Sequence, residues 1–433
     1  MSRLHVVAEF AAVRWLRPLR TRAAVERRQR RLLRRHLRFL ATRSPYFRGL
    51  AQGRALQLSQ LPLMDKAVMM THFDELNTVG VQRDDALRMA LDGERTRDFA
   101  EELDGCSVGM SSGTSGHRGL FVVSTREREA WAGTVLARAL PRGRMLGHRI
   151  ALFLRADNTL YESVASKAVS FEYFDVFDDL QTNLARLADF APTILVAPPS
   201  VLLQIAQRST ALGIAPQKVY SVAEVLEQRD ADRIRRDFGI PVLHQIYQCT
   251  EGFLAHSCEH GTVHLNEDSV LFEREELGDG RFVPIVTDLR RRAQPIVRYR
   301  LGDILRVRQA PCPCGSALTG IDRIEGREGD TLQLSGSEGG TVPVFADAIG
   351  RVMLFVDGIR DYRLVQTARD ALEVHLDTDD DEVRKKIADE ILTLLDRLGC
   401  ERPQLSFEMY LPDARSKMRR VRRDWMGDDD EKL

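Results

Sequence analysis

The stretch SVGMSSGTSGHRGLFVVS, residues 107–124, decides how this chain is read. Eight of the ten residues from Ser107 to Gly116 are Ser, Gly or Thr, and an apolar β-branched run follows. A hairpin turn uses about two to five residues, so this loop is longer than chain reversal requires. GMSSG fits G-x-S-x-G with Ser111 as the nucleophile of a serine hydrolase, but that elbow needs a helix directly after the serine. Here more turn formers come next, and then LFVVS, which reads as a strand. No GK[ST] follows, which excludes a Walker A loop. The remaining reading is a phosphate clamp between two strands. Gly113 and Gly116 let the backbone approach an anion, and Ser111, Ser112, Thr114 and Ser115 add hydroxyl donors.

The 433 residues exceed one ordinary core and predict two or three domains. Hydrophobic content of 43% and charged content of 29% are those of a soluble globular protein. No apolar run approaches the ~20 residues of a membrane helix. The first twenty residues are broken by Glu9 and Arg14 and lack a small-residue cleavage site, so no secretory signal is expected. Six cysteines make no disulfide framework, and a reducing cytoplasm is the expected compartment. Net charge is zero, yet only seven of the 63 basic residues are lysine, which draws attention to each lysine.

Residues 1–50 are Arg-rich and helical in pattern, with Leu32, Leu33, Leu37, Phe39 and Leu40 as an apolar face. They read as a surface helix packed on the body or a docking surface for an acidic partner, a carrier protein or an anionic membrane. Nucleic acid is not expected, because the rest of the chain carries no basic excess. From about 105 to 325, strand-like runs (RIALFLR, TILVAPP, PVLHQIY, FVPIVT, PIVRYR) alternate with helical patterns (VLLQIAQRSTALG, EQRDADRIRRDFG), which predicts α/β layers. After GREGD the pattern becomes that of a small α+β unit. The expected division is a body over 1–326 and a C-terminal domain over 327–433, with a hinge near 326–331.

HSCEHGTVHLNED offers Cys258 and His264, and APCPCGSA offers Cys312 and Cys314. Cys-x5-His and Cys-x-Cys about fifty residues apart can close a tetrahedral Cys3His site for a structural Zn²⁺, with His256 or His260 as alternatives to His264.

Further stretches follow in order: SVAEVL (221–226), IYQCTEG (246–252), RYRLGD (298–303), IEGREGD (324–330) and SKMRR (416–420). With SSGTSG, they resemble the adenylate-forming superfamily, nearest its phenylacetate–CoA ligase-like branch and its deazaflavin-adenylylating relatives. The resemblance covers about residues 60–421. It implies a large multi-layer N-terminal α/β body and a small mobile α+β lid. It also implies a ligase that joins a carboxylic acid, first of all an aromatic one, to AMP from ATP. The acyl group then passes to the thiol of CoA or of a carrier protein's phosphopantetheine. The Ser/Gly/Thr loop would hold the β- and γ-phosphates. Ala223 and Glu224 would wall the nucleotide, and Tyr247 would lie against the adenine or the acyl group. Thr250 would bond the α-phosphate and Glu251 would bind Mg²⁺. Asp303 would accept both ribose hydroxyls, Arg327 would reach the ribose or phosphate, and Lys417 would bridge carboxylate and α-phosphate. The same branch has cysteines and a histidine at places similar to Cys258, His264, Cys312 and Cys314. Three departures stand out: His117-Arg118-Gly119 replaces x-P-K, Gln248 replaces a glycine, and Ser416 replaces the glycine before the lysine. The other readings are an adenylyl transferase that leaves AMP on its product, the Ser111 hydrolase, and a nucleotide-binding module without turnover. A homodimer stays open.

Overall fold

Parallel strands covered on both faces need unbroken apolar runs, and Ile150, Ala151, Leu152 and Phe153 in RIALFLR are all buried. In the computed structural model, which describes residues 3–16, 19–110, 119–143, 145–154, 169–354, 356–411 and 417–425, this run lies inside one large sheet. Ser111, Ser112, Gly113, Thr114, Ser115 and Gly116, the expected phosphate clamp, lie outside the described residues.

The chain begins with α1 (Arg3–Ala11), a π turn over Ala12–Leu16, and α2 (Arg22–Arg43). Thr21 starts α2 by accepting from the Ala24 amide, and Val25, Leu37 and Leu40 are its buried side. β1 (Glu102–Leu103), β2 (Cys106–Met110) and β3 (Leu120–Ser124) form a small antiparallel sheet, with β2 and β3 flanking the Ser/Gly/Thr stretch. Ser124 and Glu127 close a capping box that starts α3 (Thr125–Ala139). Gly133 lets α1 lie directly on α3, since a Cβ there would meet the Val6 carbonyl oxygen at 2.5 Å.

β4 (His148–Leu154), β5 (Val169–Asp175), β6 (Ile194–Ala197), β7 (Lys218–Ser221) and β8 (His244–Cys249) run parallel, in the order β5-β4-β6-β7-β8. Beyond β8 the pairing reverses. β9 (Gly252–Ser257) and β10 (Val263–Leu265) add antiparallel. β11 (Val270–Gly278), β12 (Arg281–Asp288), β13 (Tyr299–Arg300), β14 (Asp303–Val307) and β15 (Gly320–Arg327) complete twelve strands. PIVRYR contributes only the two residues of β13, because Arg298 sits at φ 47°, outside any strand conformation. The helical run 201–213 breaks at Gln207–Arg208 into Pro199–Ala206 and Ser209–Leu212. α4 (Gln228–Phe238) leads into β8.

The chain divides into two compact units. The first holds residues 1–223, 233–301 and 306–323; the second holds 224–232, 302–305 and 324–433. The second unit thus begins its continuous run at Ile324 and also takes two short segments from earlier in the chain. Within it, β16 (Leu332–Ser335) and β17 (Thr341–Val344) pair as a hairpin before α5 (Ala346–Leu354). β18 (Tyr362–Ala368), β19 (Ala371–Leu376), β20 (Gln404–Met409) and β21 (Val421–Arg423) form a sheet in the order β20-β19-β18-β21. α6 (Asp381–Arg397) places Ile387, Ile391 and Leu395 at i, i+4, i+8 in a core with Leu364, Leu372, Val374 and Leu376.

Candidate functional site

β8 is the last parallel strand and the first with an antiparallel neighbour. Ligands of open α/β sheets gather at the carboxyl ends of parallel strands, where the order changes. Thr250 and Glu251 form the turn at that end of β8, and Ala223 follows the end of β7. Glu251 is buried, and the Thr250 hydroxyl donates to its Oε2 at 2.9 Å. The buried Tyr299 hydroxyl is hydrogen-bonded to the same carboxylate. Burial first, and then the Glu251 charge, push the titration of that phenol up. The Arg291 guanidinium donates to the Thr250 carbonyl oxygen. Its turn is held by Asp288 Oδ1, which accepts from the Arg290 and Arg291 amides at 2.8 and 3.1 Å. Gly252, at φ 152°, keeps this corner tight: a Cβ would meet Asp288 Oδ2 at 3.2 Å.

Tyr247 is buried on β8. Gln248, where the resemblance expects glycine, accepts from the Trp131 indole at 3.1 Å. Ala223 adopts φ 66°, a left-handed conformation costly to any residue with a Cβ. Lys66 packs on Gly119, where a Cβ would meet its Cγ at 3.3 Å.

Glu224, Asp303, Arg327 and Lys417 belong to the second unit. Asp303 Oδ1 pairs with Arg327 Nε at 3.0 Å, so the two residues expected at the ribose meet. The Met418 amide donates to Glu224 Oε1 at 3.2 Å, which ties the residue after Lys417 to the expected nucleotide wall. Arg419 pairs with Asp330, and Arg420 lies among Asp230, Glu227 and Asp361.

In the first unit, Cys258, His264, Cys312 and Cys314 come together, with one ligand atom from each within 4.8 Å of all the others. Cys258 follows β9, and a turn closed by the Gly261 amide on the Cys258 carbonyl leads to His264 on β10. A second turn, from the Gly315 amide to the Cys312 carbonyl, presents Cys312 and Cys314. Cys258 Sγ lies 3.6 Å from Cys312 Sγ, and Cys314 Sγ lies 3.4 Å from His264 Nε2. A tetrahedral Zn²⁺ with bonds of about 2.3 Å to sulfur sets donors about 3.8 Å apart, so the donor set fits that ion. His264 Nδ1 lies 3.0 Å from the Leu318 carbonyl oxygen, which makes Nδ1 the protonated nitrogen and aims Nε2 at the cluster. His256 is instead bonded to Asn266, at 2.7 Å, and His260 is exposed. Burial and the neighbouring sulfurs push the Cys314 thiol up to about 12.

No protein-family model matches the chain. A phenylacetate-coenzyme A ligase of Thermus thermophilus is 27% identical over 168 residues, 35% of this chain. The chain spans 38% of that curated relative's length in the match. Among solved structures, a 2-hydroxyisobutyryl-CoA ligase in its postadenylation state matches with TM-score 0.70 at 16% identity, over 94% of this chain and 91% of that one. The fold is that of the adenylate-forming ligases. The amide bond synthetase McbA of Marinactinospora thermotolerans matches with TM-score 0.55 at 14% identity, over 74% of this chain and 69% of its own. The anthranilate CoA ligase AuaEII matches with TM-score 0.51 at 13% identity, over 72% and 66%. The adenylate-forming resemblance read from the motifs therefore holds for the fold, and the sequence likeness falls on a phenylacetate–CoA ligase. Tyr299 and Arg291 were not singled out beforehand, although RYRLGD contains Tyr299 one residue from the strand end.

Proposed function

We propose that this protein activates a carboxylic acid with ATP and transfers the acyl group to a thiol, with CoA as the first acceptor. The observation that carries the reading is the Thr250–Glu251 turn: a buried carboxylate and a hydroxyl at the carboxyl end of the last parallel strand. In the first step a carboxylate oxygen of the acid attacks the α-phosphorus. The bond to the bridging β-phosphate oxygen breaks, and pyrophosphate leaves with the electron pair. In the second, a thiolate sulfur attacks the acyl carbon and AMP leaves as the anion.

The Thr250 hydroxyl turns from Glu251 to donate to the α-phosphate when ATP binds, and Asp303 accepts from the ribose hydroxyls with Arg327 beside it. Glu251 is a fitting single carboxylate for Mg²⁺, which when bound would screen phosphate charge. Lys417 supplies a compact ammonium at the charge that develops between carboxylate and phosphate. Cys258, His264, Cys312 and Cys314 would hold a structural Zn²⁺, which with four protein donors would fix the β9–β10 turn and leave no position for catalysis.

The acid is compact and aromatic. Gln248, tied to the Trp131 indole, adds bulk where a glycine would leave none, and the names of two relatives, phenylacetate-coenzyme A ligase and anthranilate CoA ligase, support an aromatic acid. A hydrolase is disfavoured because the strands flanking GMSSG pair with each other, whereas an elbow joins a strand to a helix.

The test is exchange of labelled pyrophosphate into ATP across benzoates, phenylacetates, cinnamates and fatty acids, followed by thioester detection with CoA. Exchange with an aromatic acid, lost in Glu251→Gln, is expected. Silence across the panel with ATP bound would overturn the reading.

A further inference from the structure

The N-terminal helices carry charge in an unusual arrangement. Among the described side chains of α1 and the π turn after it, the charged Glu9 and Arg14 are turned inward. Glu9 is buried in an ion pair with Arg290. Arg14 donates to the carbonyl oxygens of Ala137, Leu140 and Pro141, at 2.8, 3.0 and 2.6 Å, and so caps the end of α3. The outward side is apolar: Leu4, Val7, Trp15 and Leu16 are 81%, 62%, 55% and 75% exposed. Leu4, Val7, Ala8, Ala11 and Trp15 follow the i, i+3/i+4 spacing of a single face. A surface helix normally does the reverse and shows its charges to water.

α2 is anchored close to α1 on the body. Both helices rest on the same turn of the body: Glu9 of α1 pairs with Arg290, and Phe39 of α2 lies under the Arg292 guanidinium, 4.8 Å from its ring centroid. The exposed side of α2 is almost entirely arginine: Arg27, Arg30, Arg31, Arg34, Arg35 and Arg38. Its one acid, Glu26, sits between Arg22 and Arg30 at 3.5 and 3.7 Å. Among the described residues, Arg27, Arg31, Arg35 and Arg38 have no acidic partner. The chain as a whole has no net charge, so this stripe is a local concentration and not a general excess.

We propose that α1 and α2 form a peripheral docking face for an anionic lipid surface. The exposed Leu, Val and Trp side chains enter the interfacial region and the arginine stripe meets the headgroup phosphates. An exposed tryptophan with large aliphatic side chains beside a polybasic helix is the composition that such an interface takes. No helix among the described residues is long and apolar enough to cross a membrane, so the contact is with one leaflet. The one carboxylate on the exposed side of α2, Glu26, is already taken by Arg22 and Arg30, and the apolar half has no use in pairing with a solvated acidic helix. Lipid satisfies both halves.

The test is co-sedimentation of the full chain with phosphatidylcholine vesicles and with vesicles containing 30% phosphatidylglycerol, at 0.15 M salt. At least tenfold more protein on the anionic vesicles is expected. That preference should be lost in Arg31→Ser/Arg35→Ser/Arg38→Ser. Leu4→Ser/Val7→Ser/Leu16→Ser should lower binding at high salt, where the electrostatic share is screened. Both triple variants should keep the parent's thermal transition and pyrophosphate exchange, since neither touches the site. Equal partition to both vesicle types, or none to either, would overturn the proposal. So would a concentration-dependent dimer abolished by the Leu4/Val7/Leu16 variant, because the apolar face would then belong to a second copy.

Discussion

Replacing Arg420 with methionine removes a buried cation shared by the buried Asp230 and the half-buried Glu227 and Asp361 in the C-terminal unit. Arg420 and Asp230 side chains are 6% and 4% exposed, and the guanidinium also reaches Glu227 at 3.2 Å and Asp361 at 2.8 Å. The Tyr362 hydroxyl donates to Glu227 at 3.1 Å and is the neutral partner left behind. Breaking a buried pair by removing one member costs about 3–5 kcal/mol, because the other charge stays desolvated. At roughly 4 °C per kcal/mol for a unit of this size, its thermal transition should fall by roughly 12–20 °C. Scanning calorimetry of the full chain reads this directly. Adding Asp230→Asn to Arg420→Met should recover part of the loss by removing the charge left behind. The pH dependence has a definite sign. Burial, more than the neighbouring acids, raises the pKa of Glu227. Its charge therefore costs stability above the folded pKa, and that cost disappears as pH falls through the folded value toward the ordinary carboxylate range. The Arg420→Met variant should accordingly close its gap to the parent as pH is lowered. A loss below about 1 kcal/mol, the worth of an exposed pair, would refute the reasoning, and so would a gap that widens in acid.

Cys312→Ser should lower bound zinc, measured by a chromophoric chelator, together with the transition of the first unit; full occupancy would remove Cys312 from the ligand set. Lys417→Ala should cut acid-dependent pyrophosphate exchange by at least about 100-fold, the scale of one lost transition-state contact, while ATP binding by calorimetry changes little. Ala223→Gly relieves a left-handed residue and should raise stability by about 0.5–1 kcal/mol in urea titration, whereas Ala223→Val should lower it. Gln248→Gly should extend the acids accepted in the exchange assay toward longer chains; an unchanged profile would detach Gln248 from the acyl pocket.

The α/β order was legible because each body strand is a short apolar run between turn formers, and the C-terminal elements because α6 carries Ile387, Ile391 and Leu395 at helical spacing. PIVRYR was over-read, since composition does not register that Arg298 turns left-handed with its amide on the Thr287 hydroxyl, at 3.0 Å. Spacing points to Cys258, His264, Cys312 and Cys314 but leaves His256 and His260 open as alternatives, and the fold brings His264 to the three cysteines. His256 is held instead by Asn266, ten residues away. Nothing in the spacing connects Lys66 with Gly119, or Tyr299 with Glu251; those approaches are made by the fold. The segments 224–232 and 302–305 likewise group with the C-terminal unit through contacts such as Arg420 with Asp230 and the Glu328 amide with the Gly302 carbonyl, at 2.7 Å.

The run from Lys417 to Arg420 bears on the proposed role of Lys417 in a chain that uses arginine almost everywhere. Arg419 sets Nε and a terminal nitrogen against both oxygens of Asp330. Arg420 divides its nitrogens among Asp230, Glu227 and Asp361. Both positions use a planar fork with several donors, which an ammonium cannot reproduce. The Met418 amide is taken by Glu224. Met418 is thus held through its backbone and Arg419 and Arg420 through their side chains, so the backbone leaving Lys417 is fixed on that side. If compositional drift had set this segment, arginine would stand at 417 as well. In the proposed reaction, a compact charge carried on a four-carbon stem next to three anchored neighbours is what the carboxylate–phosphate centre calls for.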